Sequence, residues 1–231
     1  MSGVAAWAAQ LQWDRLLELL ITAAAAVVCI TLHEVCHGLA AYALGDPTAR
    51  RQGRLSLNPL KHLDLWGMVM LIFVKVGWAK PVPVNPRYFR NPRAGMAAVS
   101  LAGPVSNVLL SAVAAVGYAV SAFYAIYQDM AWLDWVAEFF YCVFYISAGL
   151  AVFNLLPIPP LDGSKVVFAF LPEAWYWKLM RYERYGMFLL MALLLTGALD
   201  MPLDFLRRGL TGFLFPITNG TLELLTALHF R

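Results

Sequence analysis

The sequence contains few charged residues: Asp, Glu, Lys and Arg make up only 13% of its 231 residues, and 61% are hydrophobic. Soluble domains usually carry about 25% charged and about 45–50% apolar residues. This shortage of charge argues against a soluble globule, a disordered chain and a nucleic-acid-binding protein, so we expect no nucleic-acid partner. The mean hydropathy of +0.66 instead predicts an integral protein of the lipid bilayer.

Cysteine is also scarce, with Cys29, Cys36 and Cys142 lying singly in apolar stretches. An odd number in such places argues against a disulfide scaffold. The beginning of the chain lacks the basic segment of a signal peptide, and the first apolar run is too long for one. At 1.5 Å per residue, residues 16–44 reach roughly 43 Å, more than the hydrocarbon core of about 30 Å. We therefore predict a first transmembrane helix there.

Further apolar runs predict spans at residues 95–127, 132–156 and 186–199, the last preceded by an amphipathic, interfacial stretch at 175–185. The first of these runs is rich in small residues, which let helices approach closely in lipid. Residues 203–231 are apolar but contain Pro216 and Gly220, so they either span the membrane or form a re-entrant segment. We expect one membrane all-α domain over residues 1–231. It would be a polytopic bundle of about 4–6 transmembrane helices whose catalytic core covers about 16–200.

Basic residues are concentrated between the first two spans. Nine of the 17 Lys and Arg residues lie between Asp46 and Arg93, opposed there only by Asp46 and Asp64. Such a loop is typical of the cytoplasmic side of a membrane protein. Val and Ile among its turn residues favour a small β-hairpin or sheet with strands at 54–57 and 68–76. With this loop in the cytoplasm, the first and third spans would both end on the cytoplasmic side.

The first span contains His33-Glu34-Val35-Cys36-His37. Histidines at positions i and i+4 lie on one helix face, where both can bind one metal ion. Glu34 is placed beside this pair, where it can act on water without being a ligand. The motif also occurs as ordinary surface charge on soluble helices. Ionisable groups within a membrane are costly and usually functional, so a metal site is the better interpretation here.

A catalytic zinc site usually has three protein ligands and leaves one position open. Asp162 is the favoured third ligand because it follows the proline-rich end of the third span, on the same side as the end of the first. Its alternative role is to cap a following helix. The other acidic candidates lie at the opposite end of a span or in an interfacial region (Glu18, Glu138, Glu173 and Glu183).

The same residues predict a mechanism of hydrolysis. Glu34 would act as general base towards water and then as general acid towards the leaving amine. A developing oxyanion needs neutral hydrogen-bond donors, and Asn154 and Asn107 are the candidates for this role or for substrate binding. For each, the alternative is an ordinary hydrogen bond between transmembrane helices.

The segments HEVCHGLAAYALGD and NLLPIPPLDG together resemble the site-2 protease family of intramembrane zinc metalloproteases. The second family motif is matched by Asn154, Pro157, Pro159, Asp162 and Gly163. The resemblance extends over roughly residues 25–170 and is to the compact branch, which has no PDZ domain.

This resemblance implies one zinc ion per chain, held by His33, His37 and Asp162, with Glu34 as general base. It also implies that the substrate is a single-span membrane protein, cleaved within or near its transmembrane segment in regulated intramembrane proteolysis. The protein would be in a prokaryotic cytoplasmic membrane with its active site open to the cytoplasm. A membrane metal-ion transporter or sensor is the alternative, although transporters commonly contain internal repeats and none is visible here.

Overall fold

The structure, a computed structural model, describes residues 13–64, Gly67 and residues 79–230. Helices dominate this part of the chain, and two single 3₁₀ turns, Pro59–Lys61 and Pro86–Tyr88, lie in the basic loop. The helices are α1 (Trp13–Ala43), α2 (Thr48–Arg51), α3 (Pro92–Gln128), α4 (Ala131–Asn154), α5 (Asp162–Ala169), α6 (Glu173–Leu195) and α7 (Asp200–His229).

Three of these helices, α1, α3 and α4, are long and apolar enough to cross a membrane. A fourth span exists if Tyr185–Leu195 of α6 and all of α7 count as one bent unit, whose two parts meet at 88°. These helices agree with the prediction of a multi-pass membrane protein. The number of spans in the described residues is three or four, at or below the lower limit of the expected 4–6.

Helix α3 lies at the centre of the bundle and packs against both α1 and α4. Small side chains on the facing surfaces, including Ala25, Ala114 and Ala115, are buried and allow the backbones to come close. Hydrogen bonds reinforce the contact with α4: Ser111 Oγ donates to the Phe144 carbonyl and Ser147 Oγ to the Asn107 carbonyl, each at 2.9 Å.

The contacts also fix the directions of the helices. Ser147 meets Asn107 whereas Phe144 meets Ser111, so α4 is antiparallel to α3. His37 meets Val99 whereas His33 meets Asn107, so α1 is also antiparallel to α3. The end of α1, the beginning of α3 and the end of α4 therefore lie at the same end of the bundle, as the sequence predicted.

The predicted span at 186–199 is not a candidate crossing by itself, and Tyr185–Leu195 qualifies only together with α7. Helix α6 runs continuously from Glu173 through the supposed interfacial stretch and ends at Leu195. Gly197 then adopts a positive φ of 69°, a conformation that glycine accepts without steric cost. The chain turns there and begins α7 at Asp200. The C-terminal segment is a single helix that contains Pro216.

The predicted strand at 54–57 is also wrong, because the structure has no regular element there. The second predicted strand, at 68–76, lies outside the described residues apart from its flanks, where Leu63 and Ala79 form an isolated antiparallel bridge. Within the described residues there are no strands. Residues 80–85 contain Pro81 and Pro83, which have no N–H to donate to a ladder.

Side chains anchor that segment instead. Arg54 Nη2 donates to the carbonyls of Lys80 at 2.6 Å and Pro81 at 3.2 Å. The fully buried Asp46 accepts a hydrogen bond from the Asn85 N–H at 2.6 Å. Residues 80–85 are thereby held across the end of α1 that carries the two histidines.

Candidate metal centre

Helix α1 brings the imidazoles of His33 and His37 together, as the i, i+4 spacing predicts. Both residues are buried, and their Nε2 atoms are 2.9 Å apart. The rings meet nearly at right angles, at 88°. Two imidazoles in this arrangement direct both Nε2 atoms at one point in space.

Asp162 completes the cluster from the other side. The prolines between α4 and α5 cannot continue a helix, and α5 begins at Asp162 itself, with Leu161 in the N-cap position. The Asp162 Oδ2 atom lies 3.2 Å from His33 Nε2 and 3.1 Å from His37 Nε2. The side chain of Asp162 therefore faces the histidines, and capping of α5 does not explain its position.

Gly163 permits this approach of α5 to the end of α4. A Cβ atom at residue 163 would lie within 2.6 Å of the Leu156 carbonyl oxygen and closer still to that of Leu155. Such distances essentially never occur, so only glycine fits. This contact explains physically why Asp162 is followed by glycine.

The second nitrogen of each imidazole is occupied by a group on α3. His37 Nδ1 donates to the Val99 carbonyl oxygen at 2.7 Å, so in the neutral ring the lone pair is on Nε2. His33 Nδ1 lies 3.2 Å from the side-chain nitrogen of Asn107. Metal-binding histidines almost always donate the hydrogen of the ring nitrogen that does not bind the ion to an acceptor, as His37 does to Val99.

Asp162 is held in its ionised form by its neighbours. Burial by itself would raise the pKa of this carboxyl. Hydrogen bonding and charge interaction with His33 and His37 lower the pKa by a larger amount. The net result is a pKa below the usual range for aspartate. An ionised carboxylate beside two imidazole nitrogens is a suitable donor set for a divalent metal ion.

The three ligand atoms fit zinc. With zinc–ligand distances of about 2.0–2.1 Å in a tetrahedral site, ligand atoms are separated by about 3.3 Å, and the separations here are 2.9–3.2 Å. Among the described residues, His33, His37 and Asp162 are the only group of three such side chains able to hold a metal ion. The cluster borders a cavity of about 380 Å³, which leaves room for water and substrate at a fourth position.

Glu34 also lines this cavity but is not part of the cluster. Its Oε2 atom accepts a hydrogen bond from the Val82 N–H at 2.9 Å. Val82 was not among the sequence-predicted site residues. The signal in the sequence is its position between Pro81 and Pro83, which leaves its N–H as the only backbone donor of the three.

The two predicted asparagines have different surroundings. Asn154 lines the cavity and donates to the Leu150 carbonyl of its own helix at 3.0 Å. Asn107 is completely buried behind His33 and is not among the residues lining the cavity. Glu183, the alternative carboxylate, is at the cavity but is paired with Lys165 at 3.3 Å.

The chain is similar to known proteins over most of its length. Residues 118–197 match the model of peptidase family M50. A Bacillus subtilis protein described as a candidate zinc metalloprotease, YwhC, is 38% identical over 170 residues, covering 74% of this chain and 78% of the relative. The chain belongs to peptidase family M50. Membership of this family confirms the predicted protease of the site-2 type and gives no support to the transporter alternative.

Other relatives of this chain come from different prokaryotes. Rip2 of Mycolicibacterium smegmatis, described in the same way, is 30% identical over 181 residues, covering 75% of this chain and 66% of the relative. MJ0611 of Methanocaldococcus jannaschii is 38% identical over 69 residues, covering 30% of this chain and 31% of the relative. No solved structure matches the chain significantly.

Proposed function

We propose that this M50 protein is an intramembrane zinc metalloprotease that cleaves single-span membrane proteins within or near their transmembrane segments. The observation that carries the proposal is the meeting of His33, His37 and Asp162 beside Glu34 at a cavity. The relatives' descriptions as zinc metalloproteases support the choice of metal and reaction.

We assign the metal ligands to His33 Nε2, His37 Nε2 and Asp162 Oδ2. When bound there, zinc would polarise the scissile carbonyl and lower the pKa of water towards neutrality. The cavity beside the three atoms is lined by Pro81, Val82 and Val84 as well as by charged side chains. A substrate segment would bind in it with one carbonyl near the ligand cluster.

Glu34 provides the proton transfers. The Val82 N–H holds Oε2, which leaves Oε1 to accept a proton from the attacking water. Oε1 would then return that proton to the amine that leaves when the peptide bond breaks, so one carboxylate acts as base and then as acid. Asn154, the asparagine at the cavity, is the better placed of the two to donate a hydrogen bond to substrate.

The substrate must be extended where it is cut. A helical transmembrane segment hides its peptide bonds in hydrogen bonds to residues four positions away, so it has to unwind before attack. The donors exposed by unwinding need acceptors, and an extended protein segment can offer them by strand addition. The described part of the predicted hairpin does not provide a strand for this step.

The direct test uses purified protein reconstituted in lipid vesicles with a single-span substrate. We expect cleavage products, loss of cleavage on removal of zinc with a chelator, and recovery when zinc is returned. Zinc transport across the vesicle membrane without any cleavage would contradict the proposal and favour the transporter.

We further place the protein in a prokaryotic cytoplasmic membrane with the metal centre at the cytoplasmic side. The basic residues of the 46–93 loop support this orientation. The relatives come from bacteria and an archaeon.

Cysteine labelling in intact cells tests this orientation. Arg51→Cys and Arg90→Cys change exposed residues and should not react with an impermeant thiol reagent added outside. Asp129→Cys, at the exposed turn between α3 and α4, is the matched control and should react. The reverse pattern would place the metal centre at the outer face.

A further inference from the structure

The helix behind the histidines carries three groups at a spacing of four residues, which places them on one face of α3. They are the Val99 carbonyl, the hydrogen of Gly103 and the side chain of Asn107. Val99 bonds to His37, and Asn107 contacts His33. Gly103 lies between these two contacts and faces both imidazoles.

Gly103 leaves no room for a side chain. A Cβ atom at residue 103 would lie 2.6 Å from His33 Cε1 and closer still to His37 Nε2. Real Cβ contacts essentially never fall below 3.0 Å. The ring of His33 would have to move away by about 0.4 Å, and the ring of His37 by more. Metal–ligand distances are reproducible to about 0.2 Å. A methyl group at residue 103 would therefore displace the ring of His33 by more than the metal–ligand geometry tolerates.

The side-chain amide of Asn107 can form a hydrogen bond with His33 Nδ1 in either tautomer of the imidazole ring. Its side-chain nitrogen faces Nδ1 at 3.2 Å, while its Oδ1 is buried without a hydrogen-bond partner among the described residues. A metal at Nε2 requires the ring hydrogen on Nδ1, and that hydrogen needs an acceptor. A half-turn of the amide about its Cβ–Cγ bond would bring Oδ1 to it.

The backbone of Asn107 is itself fixed. Its carbonyl accepts the hydrogen bond from Ser147 Oγ, and both residues are completely buried. The amide can therefore rotate, but the helix that carries it is anchored to α4. The packing of α3 against α4 therefore fixes the place of the Asn107 amide, and the amide in turn orients the ring of His33.

We propose that Gly103 and Asn107 are positioning residues, which set the orientation of His33 and His37 for metal binding without touching metal or substrate. The proposal rests on the proposed function, since it assumes that these histidines bind zinc. It differs from the sequence-based expectation for Asn107, which was a hydrogen bond to the substrate or oxyanion.

The test measures the zinc dissociation constant of purified protein by competition with a chelator. Asn107→Leu keeps the size of the side chain but removes its acceptor, and we expect zinc affinity to fall about 10–100-fold. Asn107→Asp keeps an acceptor for the Nδ1 hydrogen and should bind zinc nearly as well as the unchanged protein. Asn219→Leu, at an exposed position of α7, is the asparagine control and should leave the affinity unchanged.

Gly103→Ala should lower zinc affinity at least as much. Its control is Gly149→Ala on α4, where a Cβ atom would meet nothing within 4 Å. If Gly103→Ala does not fold, the Asn107 variants decide the question alone.

Unchanged zinc affinity in Asn107→Leu, or equal loss in Asn107→Leu and Asn107→Asp, would overturn the role of Asn107. A lower melting temperature in the presence of chelator, with unchanged zinc affinity, would show a merely structural role for either residue. Failure of the unchanged protein to bind zinc would instead contradict the proposed function, so the two failures are distinguishable.

Discussion

Glutamine in place of Glu34 is expected to stop cleavage of a single-span substrate while the purified protein still holds about one zinc ion per chain. Glu34 lines the cavity but is not among the three clustered ligand residues, so the amide should not disturb metal binding. General acid–base groups contribute about 10²–10⁴ in rate. One carboxylate would serve both proton steps here, so we expect the loss to reach the upper end of that range.

Glutamine also keeps an oxygen that can accept the Val82 N–H, so the segment above the site should stay in place. Glu138→Gln is the matched control, because Glu138 lies on α4 about 24 Å along the helix from Asn154. It should cleave at the normal rate. Substantial cleavage by zinc-loaded Glu34→Gln would rule out Glu34 as the proton-transfer group.

The helices that form the site could be predicted from the sequence. Their apolar runs are long, and the i, i+4 spacing of His33 and His37 alone places both rings on one face of α1. The basic loop also set the relative directions of the spans correctly, because charge asymmetry reports on topology without any knowledge of packing. These were sufficient to bring Asp162 to the histidines.

The sharp angle between α6 and α7 could not be predicted, although the sequence does predict a boundary between residues 199 and 203. Periodicity and hydropathy indicate helix on both sides of it, and they do not reveal that Gly197 adopts a positive φ and turns the chain by a large angle. Pro216 had the opposite effect on the prediction. It suggested an interruption, because a proline removes a backbone hydrogen bond and its ring clashes with the preceding turn. Transmembrane helices tolerate proline, and α7 continues through it.

The site details outside the two motifs depend on contacts between distant segments. Val82 reaches Glu34 only because Arg54 and Asp46 hold the intervening backbone by its carbonyl and N–H groups. Nothing in the local sequence around Val82 indicates those partners. Asn107 is similar: its spacing from Gly103 is visible in the sequence, but the ring that it faces lies 74 positions earlier in the chain.

Removal of any one ligand is expected to remove most of the zinc. His33→Ala, His37→Ala and Asp162→Ala each leave two ligands, and a two-ligand site at a water-accessible cavity would lose its ion to a competing chelator. Asp162→Asn is the more informative change, because it keeps the shape of the side chain but removes the negative charge that faces both imidazoles at 3.1–3.2 Å. Metal content by mass spectrometry and cleavage of the substrate should fall together in all four variants.

Glu183→Ala separates this ligand set from its alternative. Glu183 is the third carboxylate at the cavity, beside Asp162 and Glu34, but it is paired with Lys165 at 3.3 Å, so we expect that variant to keep its zinc. If Asp162→Ala kept the full zinc content and Glu183→Ala lost it, the third ligand would be Glu183. Asp162 would then be a hydrogen-bond acceptor that orients the imidazole rings of the two histidines and does not bind the metal ion.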